Sequence, residues 1–125
     1  MNTHSVFLAA VLASLAACGG KARKPDVYRA DTQKLLDLRS PQLKSCYDQA
    51  LASDAKLAGT VKVHFVVAKK TGVITEPKVD PASTAPELLG RCVLQALEGL
   101  KLEPPDRNEG RATFEYTFQP EPPTS

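Results

Sequence analysis

The sequence predicts an α+β domain of two layers, with two helices packed on one face of a small three-stranded antiparallel sheet. Residues 40–53 and 84–100 repeat apolar side chains at helical spacing, whereas residues 59–67 and 111–119 alternate apolar and polar positions with period two. A short β-prone run, Val73-Ile74-Thr75, follows the first alternating segment across a glycine-containing turn. Helix, hairpin, helix and strand in that order place the helices together on one sheet face.

Ser40 supplies an N-cap oxygen for the first helix, and Pro41 has the fixed φ that suits its first turn. Leu43, Cys46, Tyr47, Ala50 and Leu51 then form one buried stripe, with Lys44, Asp48 and Gln49 opposite, and the helix should end near Ser53. The preceding residues 31–39 contain Leu35, Leu36 and Leu38, compatible with an earlier helix that Pro41 kinks or interrupts. That pattern does not decide their state.

From Gly59, the side chains Val61, Val63, Phe65 and Val67 fall on one strand face and Lys62 and His64 on the other. Lys69-Lys70-Thr71-Gly72 connects this strand to residues 73–75 as a hairpin, and Pro77 makes the second strand short or an edge. Thr84 with Glu87 reads as a capping box opening the second helix, whose stripe is Leu88, Leu89, Cys92, Val93, Ala96, Leu97 and Leu100. Beyond Pro104-Pro105, Ala112, Phe114, Tyr116 and Phe118 alternate with Thr113, Glu115 and Thr117 in a third strand, aromatic face inward.

The start of the chain carries an address. Residues 6–17 form an apolar run of about a dozen residues, well short of the ~20 needed to span a bilayer, and they end in Leu15-Ala16-Ala17-Cys18. This box resembles the bacterial lipoprotein signal, which implies cleavage before Cys18 and acylation of its sulfur. The alternative is an ordinary signal cleaved after Ala16 or Ala17, which Leu15 fits poorly. Loss of residues 1–17 leaves 108 of the 125, enough for one modest domain, read here as residues 31–125. Residues 18–30 are polar, glycine-led and basic, and read as a flexible tether. Lys21, Arg23, Lys24 and Arg29 against Asp26 put the chain's net charge of +2 beside the membrane, where it would favour anionic head groups or simply remain solvated. The remaining domain is nearly neutral, and its patterning gives no support for nucleic-acid binding.

A wider resemblance emerges from Gly59-Thr-Val-Lys-Val-His-Phe-Val-Val, Gly72-Val-Ile, the helix ending Leu97-Glu-Gly-Leu-Lys-Leu-Glu-Pro-Pro, and the aromatic last strand. Together they resemble the C-terminal domain of TonB proteins over residues 40–119. Leu43-Lys-Ser-Cys46-Tyr47 and Arg91-Cys92-Val93 are similar to the AgmX/PglI C-terminal domain, a TonB-like family linked to gliding motility. The resemblance implies that a partner segment pairs with the final strand, residues 111–119, so Thr113, Glu115 and Thr117 would flank the binding edge. The absence of a transmembrane helix and of a long proline-rich spacer from the sequence argues against energy transduction.

Cys46 and Cys92 stand on the apolar stripes of two helices expected to share a sheet face, in an export compartment that permits disulfides. They read as a disulfide, with two buried free thiols as the alternative. Closing a loop of about 47 residues would contribute roughly 4 kcal/mol in the chain-entropy picture.

Little suggests an enzyme. His64 is the sole histidine after the leader and reads as a solvent-facing strand residue; no nucleophile elbow, phosphate loop or metal-ligand spacing occurs. No catalytic residue, cofactor, metal or small-molecule substrate is therefore expected. Two classes remain: a lipid-anchored envelope module that binds a periplasmic or outer-membrane protein segment, and a structural lipoprotein of an envelope or gliding-motility assembly. Gly19 after the cysteine, by resemblance to the enteric sorting rule, points to the periplasmic face of the outer membrane.

Overall fold

The computed structural model describes residues 22–120. Helices α1 (Pro25–Asp37) and α2 (Ser40–Ser53) precede strands β1 (Gly59–Val67) and β2 (Ile74–Val79), and helix α3 (Glu87–Leu97) precedes strand β3 (Gly110–Phe118). The sheet is antiparallel with order β2-β1-β3. This is the α+β class expected, with three helices instead of two. No helix among the described residues is long and apolar enough to cross a membrane.

β1 is the central strand, and its alternation sets the core. Val61, Val63, Phe65 and Val67 are buried on the helix side, opposite Tyr116, Phe114, Ala112 and Gly110 of β3. Phe65 and Phe114 stack with ring centroids 5.9 Å apart, and Tyr47 of α2 meets Phe118 at 5.3 Å. Leu89, Val93, Ala96 and Leu97 of α3 close the layer from above. A Cβ on Gly90 would lie 3.2 Å from Val79 Cγ2, so the glycine brings α3 close to β2.

Three local expectations are corrected. First, the tether does not run to residue 30. α1 begins at Pro25, and Arg23, its side chain only 7% exposed, is fastened to the domain by long-range contacts. Its Nε donates to Asp31 Oδ2 at 2.7 Å, its Nη2 to the Pro104 carbonyl at 2.8 Å, and its backbone N–H to Asp106 Oδ2 at 2.9 Å. Composition alone made the segment look solvated, because Pro104 and Asp106, which hold it to the domain, lie 81 and 83 residues away. Residues 18–21 lie outside the described ones.

Second, neither expected N-cap operates. α2 includes Ser40, with Arg39 at the cap position, and α3 starts from Pro86 without a side-chain cap. Thr84 Oγ1 accepts the Thr60 backbone N–H at 2.8 Å, so it secures the loop before α3 to β1. Third, Leu88 is 75% exposed and does not belong to the α3 stripe, because the helix turns Leu89, Gly90 and Val93 inward instead.

Candidate functional site

Cys46 and Cys92 form a disulfide that joins α2 to α3, with Cα atoms 5.7 Å apart. Cys46 is buried and Cys92 partly buried beside the main core cluster, so the bridge ties together the two helices that cover the sheet. Cys18, the expected lipidation site, lies outside the described residues.

The expected binding strand is an edge strand. β3 pairs with β1 in unbroken register, from Gly59 opposite Phe118 to Val67 opposite Gly110, and no strand pairs with its other side among the described residues. Thr113, Glu115 and Thr117 are exposed on the outer sheet face, opposite His64, Lys62 and Thr60. Phe114 is buried and Tyr116 and Phe118 are partly buried on the inner face, which anchors the strand while its outer edge stays open. Continuous strand geometry leaves alternate N–H and C=O groups facing outward.

The opposite edge is built differently. β2 carries Pro77, which has no N–H to offer, its Glu76 adopts φ +53°, and the register with β1 shifts between His64 and Val66. A proline and a bulge are the features that blunt a sheet edge against unwanted pairing. β3 has neither.

Beside the first half of β3 lies an open groove of about 680 Å³ between that strand and the N-terminal half of α1. Tyr28 seats the helix at its upper end. The Tyr28 ring sits where a Cβ on Gly110 would come within 2.5 Å, so this position accepts only glycine without movement of the ring, and the phenol donates to the Asn108 carbonyl at 3.3 Å. Arg29 extends across the groove, with its guanidinium carbon 5.8 Å from the Phe114 ring centroid.

His64 is engaged on both ring nitrogens, a role that the sequence did not disclose. Nε2 faces Asp80 Oδ2 at 2.5 Å and Nδ1 faces Thr113 Oγ1 at 2.8 Å. Beside the carboxylate Nε2 carries the proton, leaving Nδ1 to accept from the Thr113 hydroxyl when the ring is neutral. The hydrogen bond from His64, together with the Ala82 backbone N–H, holds the Asp80 carboxyl below the usual carboxylate range. Carboxylate, imidazole and hydroxyl in line are the elements of a nucleophile relay. Here the ring clasps β1, β3 and the loop after β2 on the outer sheet face. Among the described residues, no three His, Cys, Asp or Glu side chains are placed to hold a metal ion.

Comparison with protein-family models, with curated proteins and with solved structures gave no match. Fold and geometry therefore carry the functional reading: a small disulfide-braced α+β domain with one blunted and one open sheet edge.

Proposed function

We propose that this protein is a non-catalytic, lipid-anchored module of the bacterial envelope that captures an extended segment of a periplasmic or outer-membrane protein along β3, as its TonB-like sequence pattern suggests. The observation that carries this reading is the contrast between the two edges: β2 is interrupted by Pro77 and a register shift, while β3 runs nine residues with neither. Strand addition to such an edge draws affinity from backbone hydrogen bonds, and so tolerates varied partner sequences. The TonB-like, AgmX/PglI-type classification and the outer-membrane location belong to this proposal, as does Cys18 as the acylated first residue.

Two experiments test it. Mass spectrometry of the mature protein should find Cys18 as an acylated N-terminus; an unmodified start, or a Cys18→Ser protein still processed and membrane-bound, removes the anchor. Photo-cross-linkers at Thr113, Glu115 and Thr117 in intact envelopes should give partner adducts that are weak or missing from controls at Arg91 and Gln95. Adducts from the helix positions alone would favour the second reading, a structural lipoprotein of an envelope or gliding-motility assembly. The exposure of Leu88 on α3 and of Leu38 just after α1, 75% and 68%, is what speaks for that alternative.

A further inference from the structure

The cations that the sequence gathers beside the membrane are redistributed by the fold. Arg23 turns inward onto Asp31 and Asp106, while two distant segments bring other cations to the same place. The Lys70 backbone N–H donates to the Asp106 carbonyl at 3.1 Å, the Arg23 N–H donates to the Asp106 carboxylate at 2.9 Å, and Arg107 follows Asp106 directly. Lys24, Lys69, Lys70 and Arg107 thus surround one buried aspartate, at the end of the sheet where β1 finishes and β3 begins, with Val67 opposite Gly110. All four residues are exposed, and none forms an ion pair among the described residues.

Nearby carboxylates do not cancel them. Asp106 is buried and shares Arg23 with Asp31, while Glu103 and Glu109 have Lys101 and Arg111 within 3.7 and 3.6 Å. Among the described acids flanking these segments, that leaves Asp26 as the exposed one without an ion pair. Lys70 adds a second sign. Its φ is +69°, in the left-handed region that glycine and asparagine enter at lower cost than a long side chain. A lysine held there against its backbone preference is the pattern of a position that serves through its side chain.

The distance to the anchor points the same way. Gly19, Gly20, Lys21 and Ala22 separate Cys18 from Arg23, a reach of at most about 18 Å, whereas a small domain is ~30 Å across. With Cys18 in a bilayer, the far end of the sheet cannot rest on the surface while Arg23 stays within that reach.

We infer that this end of the domain is a docking cap for anionic phospholipid head groups, with Lys24, Lys69, Lys70 and Arg107 on the surface and β3 leading away from it. The free edge of β3 is then held open to a partner. The reach argument rests on Cys18 as the anchor proposed above; the charge argument does not. Each cation close to such a surface strengthens binding about fivefold at low salt.

The mature full-length chain carrying Cys18→Ser, which has no acyl chain to mask the cap, tests this by co-sedimentation with vesicles. Vesicles of phosphatidylglycerol and phosphatidylethanolamine in equal parts should bind it at low salt, and vesicles of phosphatidylcholine should not. Lys70→Asn, which puts a residue suited to positive φ at that position, should weaken binding about fivefold, and Lys70→Asn with Arg107→Gln about 25-fold. Lys56→Gln, in the segment before β1 at the other end of the sheet, should leave binding within about twofold, because screening confines the effect to charges near the surface. Equal binding to both vesicles, or equal losses from Lys70→Asn and Lys56→Gln, overturns the inference. Retention on heparin without binding to the anionic vesicles assigns the cap to a soluble polyanion and overturns it as well. Vesicle binding as expected with no acyl chain on Cys18 of the wild-type protein removes only the anchor; an acylated Cys18 with no binding to anionic vesicles removes only the cap.

Discussion

Arg23 and Asp106, 83 residues apart, form an ion pair with Nη1 3.3 Å from Oδ2, and the Asp106 side chain is fully buried. Burial opposes the charge on Asp106, but the backbone N–H groups of Asn108 and Arg23 and the Arg23 guanidinium more than offset it, holding the carboxyl below its ordinary value. The residues just ahead of α1 are thereby tied to the loop that leads into β3.

Arg23→Ala leaves that buried carboxylate short of its countercharge and should destabilise the domain by about 3 kcal/mol. Because the Asp106 pKa is depressed in the folded state, its contribution is present above the unfolded value near ~4 and is lost as pH falls through the lower folded value. Urea unfolding should therefore show a wild-type loss of stability below pH ~4. Asp106→Asn should be less stable at pH 7 and show a shallower acid limb.

Tyr116 is the reverse case. Burial, then the negative charge of Asp37, pushes its phenol up to about 12, and its hydroxyl is buried without a hydrogen-bond partner among the described residues. A raised folded pKa contributes stability below the unfolded value near ~10 that is lost as pH rises towards the folded one. Tyr116→Phe should abolish that alkaline loss. At pH 7 it should be neutral or stabilising by up to about 1 kcal/mol, since it removes an unsatisfied buried group. Thermal melts of both proteins between pH 7 and 11 check this.

The Cys46–Cys92 bridge braces α2 against α3. Replacing both cysteines with serine should cost about 4 kcal/mol, near 20 °C in Tm for a domain of this size, with the same fold by circular dichroism once cold. Peptide mapping without reductant should recover the pair linked.

Gly72 adopts φ +75°, and a Cβ there would fall 2.1 Å from the Leu102 carbonyl oxygen. Its own carbonyl accepts the Leu102 N–H at 2.8 Å, so the β1–β2 turn and the segment after α3 are locked together. Gly72→Ala should cost more than about 2 kcal/mol, whereas Thr71→Ala beside it should cost less than about 1.

Most of the sheet was legible because its signal is local. The alternation of Val61, Val63, Phe65 and Val67, and of Ala112, Phe114, Tyr116 and Phe118, is set by the pleat itself, and the strands fall within about a residue of the expected ends. The cysteine pair was legible because both stripes are amphipathic. What escaped was decided at a distance. Arg23 orders the start of α1 through Asp106, Thr84 serves β1 instead of α3, and His64 finds Asp80 and Thr113 across the sheet. No window of sequence around those residues contains their partners. Strand order is likewise a tertiary property, so an edge position for β3 rested on resemblance until the pairing with β1 was in view.

The openness of β3 can be measured directly by residue-resolved amide hydrogen exchange on the mature protein. β1, paired with β2 from Val63 to Val67 and with the loop before α3 through the Thr60 and Lys62 N–H groups, should show protection along its length, while β3 between Gly110 and Phe118 should alternate between protected amides bonded to β1 and rapidly exchanging amides on the free edge. Uniform protection of β3, equal to that of β1, would mean that the edge is already covered and would contradict the binding role assigned to it.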